Sequence, residues 1–392
     1  MFERYMQRKL PDARDAAARS RMGREASLIG IGTNLALAAS KIVVGTLSGA
    51  ISMVADGLNN SMDLLSSLIS LGGFHFAAMP ADRRHPYGHA RMEYLASFVV
   101  SLIILWTGAS LFWESGKSIL HPKAMEVLPV AFVVLLLSIG AKFLLFAYNL
   151  ALGKRMGSDL LIATAYDARG DVLATSTVVL SVGVQKLFGL NIDGFVGLLV
   201  AGVILKSGWE SLTDTVDSLL GEKTDPALIE ELLAFIESFP VAIGVHDLIY
   251  HDYGAQKRFL TVHVEVNSEW DVLKIHEDID EIERRLAEEF QLDATIHIDP
   301  IRIDDPRSNA LYDYLKGTLR EIHPKLDLHD FRIVDRKDGL NLVFDVLVPM
   351  AMEGKEEEID RRLRQKVAEK HPEYALITTY DPDYQDLLGA QE

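Results

Sequence analysis

Six apolar stretches, roughly 26–47, 50–79, 92–114, 125–151, 159–187 and 191–219, fill most of the first 220 of 392 residues. Each is near or above the ~20 residues that carry a helix across ~30 Å of hydrocarbon. The rest of the chain has another character. Before Gly221 stand 17 acidic and 19 basic residues, and from it onward 39 and 20, so the net charge of −17 belongs almost wholly to the second half. This division predicts an α-helical membrane domain of six spans followed by a soluble, acidic α+β region. It excludes nucleic acid as a partner, which would need a basic footprint.

The placement of Lys and Arg orients the spans. Arg4, Arg8, Lys9, Arg14, Arg19, Arg21 and Arg24 precede the first span, Arg83, Arg84 and Arg91 follow the second, and Lys154 and Arg155 follow the fourth. The opposite loops hold less: no base around Ser48-Gly49, Lys117 and Lys123 in the third loop, and Lys186 beside the fifth span. Both termini and the acidic half are therefore expected in the cytoplasm. The segment Met1 to Arg24 is not a signal peptide, because its bases are dispersed and no short apolar core ends at a small-residue cleavage site. The chain has no cysteine, which excludes disulfides, thiolate metal sites and cysteine nucleophiles.

After Gly221 the pattern predicts a helix over Asp225–Phe239, strands over Asp247–Asp252 and Arg258–Val266, a helix over Val272–Phe290, and a strand over Ala294–Ile298. This αββαβ order returns. Val245-His246-Asp247 resembles Leu328-His329-Asp330, Leu260–Val266 resembles Leu342–Val348, helix 271–290 resembles 353–370, and His297-Ile298-Asp299-Pro300 resembles Thr379-Tyr380-Asp381-Pro382. The expected domains are a cytoplasmic segment 1–24, a transmembrane domain 25–220, a first αββαβ domain 221–300 and a divergent copy 301–392.

Within the second and fifth spans, Asn59-x-x-x-Asp63 and Asp167-x-x-x-Asp171 each put two oxygen ligands on one helix face, a turn apart. Ionisable groups cost at least a few kcal/mol each at mid-bilayer and are usually functional there. Four hard oxygen donors suit Mg²⁺, Ca²⁺ or Mn²⁺, whereas imidazole favours Zn²⁺, Ni²⁺ or Cu²⁺. Asp56 is a further ligand, an acceptor behind the ligands, or a helix contact. The competing explanation is a set of interhelical ion pairs with Lys41, Lys142 or Arg169. Without metal, buried neighbouring carboxylates are expected to take up protons, which links metal and proton at one site.

Two more groups carry metal-ligand chemistry. Asp82-x-x-His85-x-x-x-His89 in the loop after the second span is a partial site for Zn²⁺ or Mn²⁺, or equally a surface turn with solvated histidines. His246, His263, His276, His297 and Asp299 fall at strand or helix ends of the first soluble domain. In the copy, His329 matches His246, but Asp345 replaces His263 and Thr379 replaces His297, so the copy is expected to have lost any metal site.

Together these residues resemble the cation diffusion facilitator family of metal–proton antiporters over roughly residues 25–300. The resemblance rests on Ser48-Gly49, the run Ala55 to Asp63, the run Pro80 to His89, the run Tyr166 to Asp171, and His297-Ile298-Asp299-Pro300. It implies a six-helix membrane domain, a ferredoxin-like cytoplasmic domain and a homodimer. The family's transport site maps to Asn59, Asp63, Asp167 and Asp171, its loop site to Asp82, His85 and His89, and its binuclear cytoplasmic site to His246, His263, His276, His297 and Asp299. Family zinc members carry histidine on the fifth helix. An Asn/Asp pair with an Asp/Asp pair resembles the manganese branch instead.

The expected function is proton-coupled efflux of Mn²⁺ from the cytoplasm, with Zn²⁺, Fe²⁺, Co²⁺ or Cd²⁺ as alternative cargo. The partners are the metal, protons, the bilayer of a bacterial inner membrane and a second copy, with no cofactor beyond the transported or bound metal. A membrane-anchored metal sensor or scaffold is the rival of another class. An intramembrane hydrolase is disfavoured, because His75 has no catalytic partners in the pattern.

Overall fold

The computed structural model describes residues 16–48, 51–121, 129–190, 192–221, 224–254, 257–303, 305–336 and 339–382. They form two compact units that part near residue 222. The expectations placed on Arg4, Arg8, Lys9, Arg14, Gly49 and Lys123 lie outside the described residues.

The helical unit comprises α1 (Ala16–Ser48), α2 (Ile51–Ala77), α3 (Met92–Leu120), α4 (Pro129–Met156), α5 (Asp159–Phe188) and α6 (Asp193–Leu220). Among the described residues, Ala18–Leu47, Met92–Leu120, Phe132–Met156, Asp159–Phe188 and Asp193–Leu220 are long and apolar enough to cross a membrane. Helix α1 already runs at Ala16, where the described residues begin, well before the expected residue 26. Three arginines discouraged that extension in the sequence, yet the fold satisfies one of them internally. Buried Arg19 pairs with Glu93 of α3 at 2.8 Å and donates to the carbonyl of Met156. Helix α5 begins where Ser158 accepts from Leu161 N–H at 3.3 Å, and ends at Gly189, whose φ of 69° suits a residue without Cβ.

Helices pair as α1 with α2, α3 with α6 and α4 with α5. Hydroxyls cross the α3–α6 seam, Ser97 to Thr215 at 2.9 Å and Ser101 to Ser211 at 2.8 Å. Small residues and polar links are what hold helices together where lipid removes the hydrophobic drive. At Gly57 a Cβ would come within 3.1 Å of backbone atoms of α1, so only glycine lets α2 approach that closely. Large apolar side chains such as Trp106, Leu137, Leu144 and Leu199 point outward and are exposed, as a lipid-facing surface requires.

The α+β unit contains two modules of the same order. The first is α7 (Pro226–Glu237), β1 (Gly244–Asp252), β2 (Arg258–Asn267), α8 (Val272–Phe290) and β3 (Asp293–Ile301). The second is α9 (Pro306–Ile322), β4 (Asp327–Arg336), β5 (Gly339–Val348), α10 (Glu356–Lys370) and β6 (Tyr374–Pro382). Each has a three-stranded sheet whose middle strand pairs antiparallel on one side and parallel on the other. Each module opens on an Asp-Pro cap, Asp225 and Asp305 each accepting a backbone N–H at 3.0 Å. Each has its own core, around Leu232, Val262 and Ile282 in the first and Leu315, Phe344 and Leu363 in the second.

Strand β1 starts at Gly244, three residues earlier than its alternation predicts. A bulge between His246 and Ile249 breaks the period of two, and β4 has the same break between His329 and Arg332. Asp247 and Asp330 take left-handed φ values of 50° and 51° there, a region that Asp tolerates better than most residues.

Candidate metal centres

Three helices build the cluster in the helical unit. Helix α2 supplies Asp63, α5 supplies Asp167 and Asp171, and α4 supplies Lys142. The Lys142 ammonium stands 2.9 Å from Asp63 Oδ2 and in direct contact with Asp171 Oδ2. Asp167 lies within electrostatic reach of Asp171, Asp63 and Lys142. Lys142 is only 3% exposed, so its pairing takes place inside the bundle. Asn34 of α1 donates to the Asp63 carbonyl at 3.2 Å and to Ser67 at 3.1 Å, which ties α1 to this turn of α2. The side chains of Asn59 and Asp56 lie outside the described residues, although both sit on α2.

The three cations that sequence offered as ion-pair partners have separate roles. Lys142 takes the carboxylates. Lys41 donates to Asn60 at 3.3 Å. Arg169 turns away, as its position round the helix implies, toward Ser207 and over the Tyr166 ring at 4.5 Å. The structure therefore brings Asp63, Asp167 and Asp171 together around the buried Lys142 ammonium, with buried Lys41 also within electrostatic reach of Asp63.

In the loop, Asp82, His85 and His89 hold one ligand atom each within 4.8 Å of the others. Backbone N–H groups of His85 and Arg84 donate to Asp82 Oδ1 at 2.7 and 2.8 Å, and they hold its carboxyl below the usual range. His89 Nδ1 lies 3.2 Å from the Pro80 carbonyl, which leaves Nε2 toward Asp82 at 3.7 Å. A fixed ring with one free nitrogen is how metal-ligating imidazoles are usually oriented.

Strand register builds the third cluster. His246 lies opposite His263 and His263 opposite His297, so three imidazoles form one row across β1, β2 and β3. Asp299 sits two residues beyond His297 on the same face. Its carboxylate is 2.9 Å from His263 Nδ1, 3.3 Å from His246 Nε2 and 3.3 Å from His297 Nε2. Burial alone would lower the His246 pKa, but the Asp247 and Asp299 carboxylates outweigh it and lift the value to about 9. Burial would raise Asp299 and Asp247, yet the facing imidazoles hold both below the ordinary carboxylate value.

His276 is not brought into this row. It is exposed on α8, 3.6 Å from Asp280. The expected spacing put it near the site, but its helix face points away from the sheet row. Two residues that the sequence did not assign as ligands do enter the cluster. Asp247 stands 3.3 Å from His246, and the His329 ring of the second module lies tilted by 37° against His246 with ring centroids 4.1 Å apart. The signal was the repeated His-Asp pair at 246–247 and 329–330. The matching row in the second sheet is His329–Asp345–Thr379, which has one imidazole where the first sheet has three.

The sequence matches the cation efflux transmembrane domain over residues 27–220 and the cation efflux protein cytoplasmic domain over residues 224–301. An uncharacterized transporter of Methanocaldococcus jannaschii is 31% identical over 69% of this chain and 96% of its own length. The manganese efflux system proteins MneS and MneP of Bacillus subtilis are 29% and 26% identical, over 71% and 73% of this chain and 96% and 98% of theirs. These relatives are transporters by name, and the match makes this chain a membrane-embedded exporter and not an enzyme. Carboxylate-bearing helices, a dimerisation-type cytoplasmic module and near full-length coverage of such relatives lead to one assignment: the chain belongs to the cation diffusion facilitator family of metal-efflux proteins.

Proposed function

We propose that the chain exports Mn²⁺ from the cytoplasm in exchange for protons, through a site formed by Asn59, Asp63, Asp167 and Asp171. The observation that carries this is the meeting of Asp63 and Asp171, from different helices, on one cation inside the apolar bundle. A place that holds the Lys142 ammonium has the charge and enclosure to hold a divalent ion. An all-oxygen donor set favours Mn²⁺ over Zn²⁺. The names of MneS and MneP agree with that cargo, and Zn²⁺, Fe²⁺, Co²⁺ and Cd²⁺ are the alternatives.

Lys142 gives the cycle a counter-charge. When metal enters, the ammonium must leave Asp63 and Asp171. When metal departs, protons or Lys142 must neutralise the carboxylates, because an uncompensated buried charge is strongly unfavourable. The departing ion removes two positive charges and Lys142 returns one, so a proton taken up by the carboxylates supplies the other.

The architecture in this reading is a cytoplasmic segment 1–24, six spans within 25–220, a ferredoxin-like domain 221–300 and its divergent duplicate 301–392. Both termini lie in the cytoplasm of a bacterial cell, below its inner membrane, and two copies assemble as a homodimer. Asp82, His85 and His89 form a metal site in the loop. His246, His263, His297 and Asp299 bind metal in the soluble region.

The test is metal uptake by purified protein in lipid vesicles at two proton gradients, with Mn²⁺, Zn²⁺ and Fe²⁺ compared. Mn²⁺ should move fastest and respond to the gradient, and Asp171→Ala should reduce it to the level of empty vesicles. Undiminished transport by Asp171→Ala would remove the proposed site, and indifference to the gradient would remove the exchange.

A further inference from the structure

We propose that the two modules of the α+β unit jointly form a divalent-metal site from His246 and Asp247 of the first and His329 of the second. Its ligand atoms all lie within 4.8 Å of one another. Asp247 stands between the rings with one oxygen toward each, Oδ2 3.3 Å from His246 Nδ1 and Oδ1 3.7 Å from His329 Nε2. A tetrahedral ion with bonds of ~2.0–2.2 Å spaces its ligands by ~3.3–3.6 Å, close to the separations of the two rings from the Asp247 oxygens.

Ring contact between the two histidines does not account for the arrangement. His246 is 7% exposed and His329 5% exposed. The His246 nitrogens face carboxylates at 3.3 Å, while neither ring nitrogen of His329 makes a hydrogen bond. Each unsatisfied buried polar atom costs ~1–3 kcal/mol. An ion held with Asp247 would satisfy the His329 nitrogen that faces it. Negative charge nearby favours a cation there: Asp381 reaches Asp247 and His329 electrostatically, and Glu265 reaches His246 and His329. Two imidazoles with one carboxylate suit Zn²⁺ and its neighbours in the first row. This is a different preference from the all-oxygen set among the helices.

The bulge is what aims the ligands. Both strands carry it at the same His-Asp pair, with the Asp in the left-handed region, so each module presents its histidine toward the other. The match to the cytoplasmic domain of the family ends at residue 301, so His329 lies beyond it. The site is therefore independent of the transport reading. Bound metal would staple the second module to the first.

The experiment uses the full chain in detergent, stripped of metal and titrated with Zn²⁺, with bound zinc counted after dialysis. The unmodified protein should retain one more Zn²⁺ than His329→Gln or Asp247→Asn. Their affinity for that ion should fall by more than the ~10–100-fold that loss of an outer partner costs. Hydrogen exchange of the unmodified chain gives an arm that needs no variant. Zn²⁺ should slow exchange in Gly244–Asp252 and Asp327–Arg336 together. Equal zinc content in all three proteins, or protection confined to the first strand, overturns the proposal. Asp171→Ala should keep this ion, so failure of the transport reading and failure of this one give different results.

Discussion

The two buried polar clusters meet the same cost in opposite ways. Among the helices, Asp63 and Asp171 have a counter-ion built into the chain, since Lys142 reaches both. In the α+β unit, His246 is faced by the Asp247 and Asp299 carboxylates, while His329 stands without a hydrogen bond on either ring nitrogen. In the proposed readings the first cluster gives up a tethered cation to accept a mobile one, and the second takes an ion that ties two modules together. A site that must release its cargo needs a substitute charge, and a site that holds two modules together does not.

The largest effect should come from the helices. Asp63→Ala removes a ligand and half of the Lys142 clamp, and vesicle uptake of Mn²⁺ should fall to background. Retained uptake would mean that the cluster is only structural, and the contrast would collapse.

Lys142→Met sharpens the same point. It leaves two buried carboxylates without their cation, which typically costs ~3–5 kcal/mol. Thermal unfolding of the metal-free protein should shift downward accordingly, and saturating Mn²⁺ should restore most of the loss by binding the folded state alone. If Mn²⁺ gives no recovery, metal and ammonium do not share the place.

His297→Ala tests the other cluster, where the side chain is 63% exposed beside Asp299. Zinc affinity of the row should weaken ~10-fold or more. Transport at saturating metal should stay within ~3-fold, because a remote ion acts only through its differential affinity for two states. A collapse of transport would show that the two clusters are one machine.

Asp360→Asn is the mildest change. Burial pushes the Asp360 carboxyl up, but Arg364, Tyr380 and Thr378 outweigh it and hold it below the ordinary carboxylate value. A depressed folded value means stability that is present above ~3.9 and lost as pH falls through the folded value. The pair with Arg364 is partly exposed, so the variant should cost less than ~1 kcal/mol in urea unfolding at pH 7, and nothing once the pH is below the folded value. A larger loss would place part of the second module's stability in this pair and not in the shared cluster.

Much of this was legible in the chain. The length of the apolar stretches located the helices, and i,i+4 spacing put Asp167 and Asp171 on one face. The alternation along Arg258 to Val266 located β2 and put His263 on one face with Phe259, Thr261 and Glu265. The start of α1 was not legible, because Arg19 reads as a surface charge until Glu93 and the Met156 carbonyl are placed beside it. Strand β1 was shortened because a bulge cancels the periodicity that reveals strands. The choice of Lys142 among three candidate cations depended on which helix faces which, and His276 failed for the same reason.

The sequence by itself determined the division into an apolar helical half and an acidic α+β half, the ligand types, and the absence of thiolate chemistry. These depend on composition and short periodicity, which the chain carries locally. Only the tertiary structure decided that Lys142 closes the carboxylate pair and that His329 meets His246. Both are contacts between elements far apart in sequence, and helix packing and strand register, not spacing along the chain, set their distances.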